Sequence, residues 1–190
     1  MMDEYSFKEG SLFPQLFASR FSSMPQAWQK FHTVSGEHCY EGEAEVIRGE
    51  NLLLRILASI LRLPPTSKVP VKLVIKKEGD FERWSRFFGD SFFSTVLFSD
   101  EKMTSDQQYY YLRERFGPLC FGIVLTVEAE TVIWRIDRWW FFKMPLPKLF
   151  APKSETKEFI DTHGHYAFDI DLSVPFLGRL IAYRGWLVVD

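Results

Sequence analysis

Only two of the 190 residues are cysteine, Cys39 and Cys120, so no disulfide framework holds this chain, and its composition suits a reducing compartment. Neither sign of charge is in large excess: 23 Lys and Arg stand against 25 Asp and Glu, a formal net charge of −2. General affinity for a phosphate backbone needs a basic excess, so nucleic acid is not an expected partner. No apolar run is long enough to cross a bilayer as a helix. The stretch Met1–Gly10 is polar and acidic, without the basic and apolar segments of a signal peptide, and the expected location is the cytoplasm. Neither the dinucleotide fingerprint nor the phosphate-binding loop occurs, and no serine sits in a nucleophile-elbow sequence. No cofactor is therefore expected.

Aromatic residues are abundant instead. Nineteen Phe, seven Tyr and six Trp make up 17% of the chain and must be buried, line a cavity or sit at an interface. The length suits a single domain, residues 1–190, with a core large enough to need no metal. The first third, 11–63, reads as mainly helical with one strand. Ser11 is an N-cap candidate, followed by Phe13, Leu16, Phe17, Phe21 and Met24 at helical spacing. Pro25 sits early in a second short helix that buries Trp28 and Phe31. A strand from His38 to Arg48 sets Tyr40, Gly42, Ala44 and Val46 against Glu41, Glu43 and Glu45. Asn51 can cap a helix over Leu52–Leu63. Only Arg55, Ser59 and Arg62 are polar there, which predicts a helix buried on most sides. Pro64-Pro65 stops it.

Beyond the prolines the period changes to two. Val69–Lys76 alternates apolar residues with lysines, and Gly79-Asp80 and Gly89-Asp90 turn the chain into Phe81–Phe88 and Phe92–Phe98. A polar loop, Ser99–Gln108, precedes Tyr109–Phe116, Leu119–Glu128 and Thr131–Phe142. After a proline-punctuated loop, Lys143–Pro152, come Lys153–Asp161, His165–Pro175 and Leu180–Val189. The predicted fold is α+β: a curved or closed antiparallel meander over residues 69–189, a barrel-like sheet of about eight to ten strands, covered or plugged by the N-terminal helices.

Chemical candidates are few. His38-Cys39 pairs a base with a thiol, but neighbours on a strand point to opposite faces and form no dyad. His163, His165, Asp169 and Asp171 all fall on odd positions and could hold a divalent ion. The even face, Tyr166 to Phe176, is continuously apolar, so the odd face is most simply solvent and no metal is expected. Thr131–Phe142 mixes Trp and Arg on both faces, and Tyr109–Phe116 mixes Tyr, Arg and Glu. Arginine beside tryptophan serves either a ligand site, with the guanidinium orienting an acidic head group, or buried Arg–carboxylate pairing, the simpler reading. Candidate wall residues are Trp84, Trp134, Trp139, Trp140 and Tyr183, with Arg86, Arg115 or Arg135 at the head group. Trp139–Phe150 also has the make-up of an interfacial membrane anchor, although a core strand running into a loop that packs back on the barrel is the simpler reading.

A set of short stretches gives a resemblance. They include Ser11-Leu12-Phe13, Gly42 to Leu63-Pro64-Pro65, Glu82-Arg83-Trp84 with Arg86-Phe87, and Glu114-Arg115-Phe116-Gly117-Pro118-Leu119. Further along come Pro145-Leu146-Pro147, Ala151-Pro152, Phe168-Asp169 and Tyr183-Arg184-Gly185-Trp186. In this order the chain resembles a bacterial family of unknown function, number 4166, over nearly its whole length. The resemblance brings no catalytic residues; family members fused to oxidoreductase-like domains imply an accessory role in small-molecule or lipid metabolism. Three functions remain open on these residues. The first is non-catalytic binding of a hydrophobic or amphipathic molecule, such as a fatty acid or isoprenoid, in a barrel cavity. The second is an enzyme using Glu114, Asp137 or Glu155 with arginine in that cavity, and the third is a protein-interaction module using an aromatic patch.

Overall fold

The computed structural model describes residues 10–100 and 109–189, so the acidic start and most of the Ser99–Gln108 loop lie outside the described residues. Two short helices, α1 (Leu12–Phe17) and α2 (Gln26–His32), flank a 3₁₀ segment, Ala18–Ser23. Strand β1 (Glu37–Arg48) and helix α3 (Leu52–Ile60) lead into the meander. Its strands are β2 (Ser67–Glu78), β3 (Phe81–Phe88), β4 (Ser91–Ser99), β5 (Tyr110–Phe116) and β6 (Leu119–Glu128). There follow β7 (Thr131–Phe141), the two-residue β8 (Met144–Pro145), a 3₁₀ turn at Lys148–Phe150, β9 (Lys153–Ile160), β10 (Tyr166–Val174) and β11 (Gly178–Leu187).

Every pairing is antiparallel, and β1 lies between β2 and β11 while β6 pairs with β7. The sheet therefore closes into a ten-stranded barrel, with β8 a short addition to the rim of β7. The alternation seen in the sequence holds along β1, where Tyr40, Ala44 and Val46 are buried and Glu41, Glu43 and Glu45 face solvent. Closure brings β1 and β11 very near each other. A Cβ on Gly185 would stand 2.1 Å from the Glu43 carbonyl oxygen, so only glycine fits at that crossing.

The meander puts alternate connections at opposite ends. One end, the floor, is plugged by α1 and α2, whose Phe13, Phe17, Trp28 and Phe31 are essentially inaccessible. Their rings pack on one another and on the wall: Phe31 stacks on Tyr166 at 3.6 Å, Phe17 on Tyr110 at 4.2 Å, and Phe13 lies 6.1 Å from Trp84. The other end, the mouth, is framed by α3, the turns after β3, β5 and β10, and the 142–152 loop.

Three expectations change. Ser11 does not cap α1; its hydroxyl donates to Val34 O at 2.8 Å, and Glu82 Oε1 accepts from the Leu12 N–H at 3.0 Å instead. Asn51 does cap α3, accepting from Leu53 N at 3.0 Å. Yet α3 is not buried on most sides. Among its residues only Leu54 and Ala58 are buried, while Leu52, Leu53 and Ile60 are 68%, 63% and 71% exposed.

The third concerns β7. Ile123 pairs with Ile136 but Gly122 with Arg138, so Asp137 is an extra residue in a bulge. Val132, Trp134 and Ile136 face inward before it, and Trp139 and Phe141 after it. This parity switch is why neither face of the strand looked polar in sequence. No described helix is long and apolar enough to cross a membrane.

Candidate functional site

Inside the barrel, between floor and mouth, lies a cavity of about 560 Å³, within the usual range for small-molecule sites. Strand geometry makes it. β7 pairs with β9 only over Val132–Trp134, against Thr156–Glu158. Beyond that point the two strands no longer pair, and Phe150 and Pro152 of the 142–152 loop join the lining. Aliphatic and aromatic side chains dominate the upper wall, among them Phe88, Phe116, Leu119, Phe121 and Leu172.

Polar groups gather at mid-height. Arg86 Nη1 donates to Thr95 Oγ1 at 2.7 Å, and Arg86 Nη2 lies 3.6 Å from Glu114 Oε1. The guanidinium is flanked by the Trp84 and Phe93 rings, at 5.2 and 5.6 Å. Tyr183 stands across from this group, and burial raises its phenol pKa, with Glu114 adding to the rise and Arg86 opposing it.

Deeper, at the floor, His32 Nε2 lies 3.1 Å from Glu158 Oε2, and both side chains are buried. The Tyr166 phenol also hydrogen-bonds Glu158; burial first, then that carboxylate, pushes its pKa well above the usual value. Glu82 completes the floor by accepting from the Trp84 indole at 3.1 Å. The interior thus holds one guanidinium already facing a carboxylate, and a second carboxylate tied to an imidazole and a phenol.

Of the eight expected ligand residues, Trp84, Arg86, Trp134, Trp139 and Tyr183 line this cavity together. Arg135 is exposed at its edge, with a long contact to Thr126 Oγ1 at 3.4 Å. Arg115 and Trp140 are on the outside of the barrel. Arg115 shares the outward face of β5 with Arg113. The bulge turns Trp140 out, where Arg113 covers its ring at 4.8 Å and Asp100 joins Arg113 and Arg138 at 3.1 and 3.6 Å. That outer cluster is the arginine–carboxylate pairing weighed as the simpler use of these residues.

The three carboxylates considered for catalysis are dispersed. Glu114 faces Arg86 inside, Asp137 sits outside with Lys148 and Arg138, and Glu155 is exposed on the outer face of β9. Of the histidine and aspartate set, His165 stacks on Trp186 at 4.7 Å and bonds Asp161, and Asp171 pairs with Arg179 at 2.7 Å. Burial works against ionisation of Asp161, but the backbone N–H groups of His165 and His163 outweigh it and lower its pKa. Cys39 is exposed, and burial raises the Cys120 thiol.

His32 and Glu158 were not singled out from sequence, being 126 positions apart. A signal existed. His32 lies on the Trp28 stripe of α2, and Glu158 follows Ser154 and Thr156 on the less charged face of β9.

The chain belongs to the family described as Domain of unknown function (DUF4166), which it matches over residues 24–187. No curated protein and no solved structure matches it at a significant level.

Proposed function

We propose that the barrel is a binding module for an amphipathic small molecule whose apolar chain fills the upper cavity and whose polar head reaches the Arg86–Thr95–Tyr183 level. The carrying observation is the cavity itself: about 560 Å³ inside a closed barrel, mainly apolar above and with its charged groups at mid-height and below. The charges favour an uncharged head, such as a hydroxyl or carbonyl, over the carboxylate expected from sequence. Arg86 already faces Glu114, and Glu158 adds a second carboxylate, so an anionic head at that depth would meet no spare positive charge. Isoprenoid and long-chain alcohols or ketones are the chemistry this suits.

Native mass spectrometry of protein purified without detergent tests the reading, followed by titration with dodecanol and with dodecanoate. Trp84, Trp134 and Trp139 all line the cavity, so indole emission reports filling. The expected result is a one-to-one adduct and saturable dodecanol binding that exceeds dodecanoate binding. Leu119→Trp, which puts bulk into the upper wall, should weaken dodecanol binding at least ten-fold while the barrel stays folded. A bare mass together with no saturable change in emission overturns the proposal.

A further inference from the structure

The mouth is ringed by large apolar side chains that stay exposed to solvent. Leu53 and Ile60 project from α3, Phe92 from the start of β4, Phe142 and Leu149 from the 142–152 loop, and Phe176 from the β10–β11 turn. Phe142 and Phe176 are 70% and 82% exposed. These side chains come from three separate connections and one strand end at the same end of the barrel, which a single packing accident would not produce. Their local structure fixes them in place. Arg48 bonds the carbonyls of Leu63 and Pro64, pinning the end of α3, and Trp139 Nε1 donates to Pro147 O at 3.0 Å, anchoring the 142–152 loop.

Charge chooses the occupant. Basic residues are interleaved with the apolar ones: Arg55 and Arg62 on and after α3, and Lys143 and Lys148 in the 142–152 loop. Among the described residues Arg55, Arg62 and Lys143 form no ion pair, whereas Lys148 reaches Asp137. Against them the mouth connections carry only Glu50 and Asp90. The floor end leans the other way, with Asp80, Asp100, Glu130 and Asp161 in its connections against Arg20 and Lys30 of the helical plug. The net charge of −2 for the whole chain therefore hides a basic mouth and an acidic floor. Apolar side chains flanked by Arg and Lys match a surface that offers hydrocarbon beneath a layer of anionic phosphates.

We propose that the mouth of the barrel docks on an anionic lipid bilayer, with α3, the 142–152 loop and Phe176 entering the headgroup boundary. The cavity then opens onto the membrane, with its floor turned to water. The docking does not depend on what fills the cavity, since none of these exposed apolar and basic side chains lines it.

Flotation of the full chain with vesicles of phosphatidylcholine, with and without phosphatidylglycerol, tests this. Binding should appear on the mixed vesicles, fall with added salt, and be weak on phosphatidylcholine alone. Phe142→Ser with Phe176→Ser should reduce it at least ten-fold. Arg55→Glu with Lys143→Glu should reduce it at least as much, since each lost basic contact alone removes about five-fold. These positions are exposed, and unchanged thermal unfolding of the variants verifies the fold. Equal binding to neutral and anionic vesicles, or none to either by folded protein, overturns the proposal. So does a dimer that Phe176→Ser dissociates in the absence of vesicle binding, which would assign the ring to a second copy.

Discussion

At the floor of the barrel Phe13, Trp28 and Phe31 are inaccessible and ring-stacked, while at the mouth Phe142, Phe176 and one side of α3 stand in solvent. Both ends draw on the same aromatic and aliphatic residues. They differ in what the chain supplies as cover. The floor has two helices folded into it, and its polar groups face it: Glu82 takes the first N–H of α1 and the Trp84 indole, and Glu158 takes His32. The mouth has only hairpin turns, the 142–152 loop and one helix that buries two residues. Stability should therefore concentrate at the floor, leaving the mouth free to be selected for something else.

Paired substitutions would break that comparison if it is wrong. Trp28→Ala removes a fully buried ring in contact with Phe13, Phe17 and His32, and should cost about 3–5 kcal/mol of unfolding free energy. Ile60→Ser, at a mouth position 71% exposed, should stay within about 0.5 kcal/mol. Urea unfolding followed by far-UV dichroism measures both. Comparable losses at the two sites would mean that α3 is part of the folding core.

A smaller contrast concerns polar partners. Glu82→Ala at the floor leaves the Leu12 N–H and the Trp84 indole without their acceptor, at a cost of about 1–3 kcal/mol for each buried group left unmet. Asp171→Ala near the mouth breaks an exposed pair with Arg179 and should cost at most about 1 kcal/mol. The same urea titrations decide between them, and a larger loss at Asp171 would contradict the assignment of stability to the floor.

The sequence made the barrel legible where burial imposes period two. In β10, Tyr166, Phe168 and Ile170 alternate with Asp169 and Asp171, and the apolar set does face inward. It could not reveal the bulge at Asp137, because one inserted residue reverses parity without any change in composition. The bulge is why Trp140 lies outside although it shares the even positions of the strand with Trp134. Arg115 was misplaced differently: the inward face of β5 holds Glu114, and a preference for arginine as a ligand contact favoured its neighbour. The α3 error has a third cause. Apolar composition shows that a helix seeks cover, but not whether the cover belongs to the same chain. His32 and Glu158 meet only through barrel closure, a long-range event that neither local segment encodes.

The last contrast is a pH dependence that belongs to the interior and spares the mouth. Tyr40, Tyr166 and Tyr183 are each held above the ordinary phenol value of about 10, all of them chiefly by burial. Tyr40 is pushed up to about 12, with Glu82 adding to the effect. For an acid whose pKa is higher folded than unfolded, the native state holds its proton more tightly. The stabilisation is complete below the unfolded value and is lost as pH rises toward the folded one. Unfolding free energy should therefore be unaffected by these groups below about pH 10 and decline between about pH 10 and 12. Tyr40 also donates to Phe31 O at 3.2 Å, so Tyr40→Phe should cost about 0.5–1.5 kcal/mol near neutrality. In exchange it should make the alkaline decline shallower, because one of the three phenols no longer titrates. An alkaline slope unchanged in Tyr40→Phe would remove that tyrosine from the linkage and weaken the contrast between a closed, water-excluding floor and an open mouth.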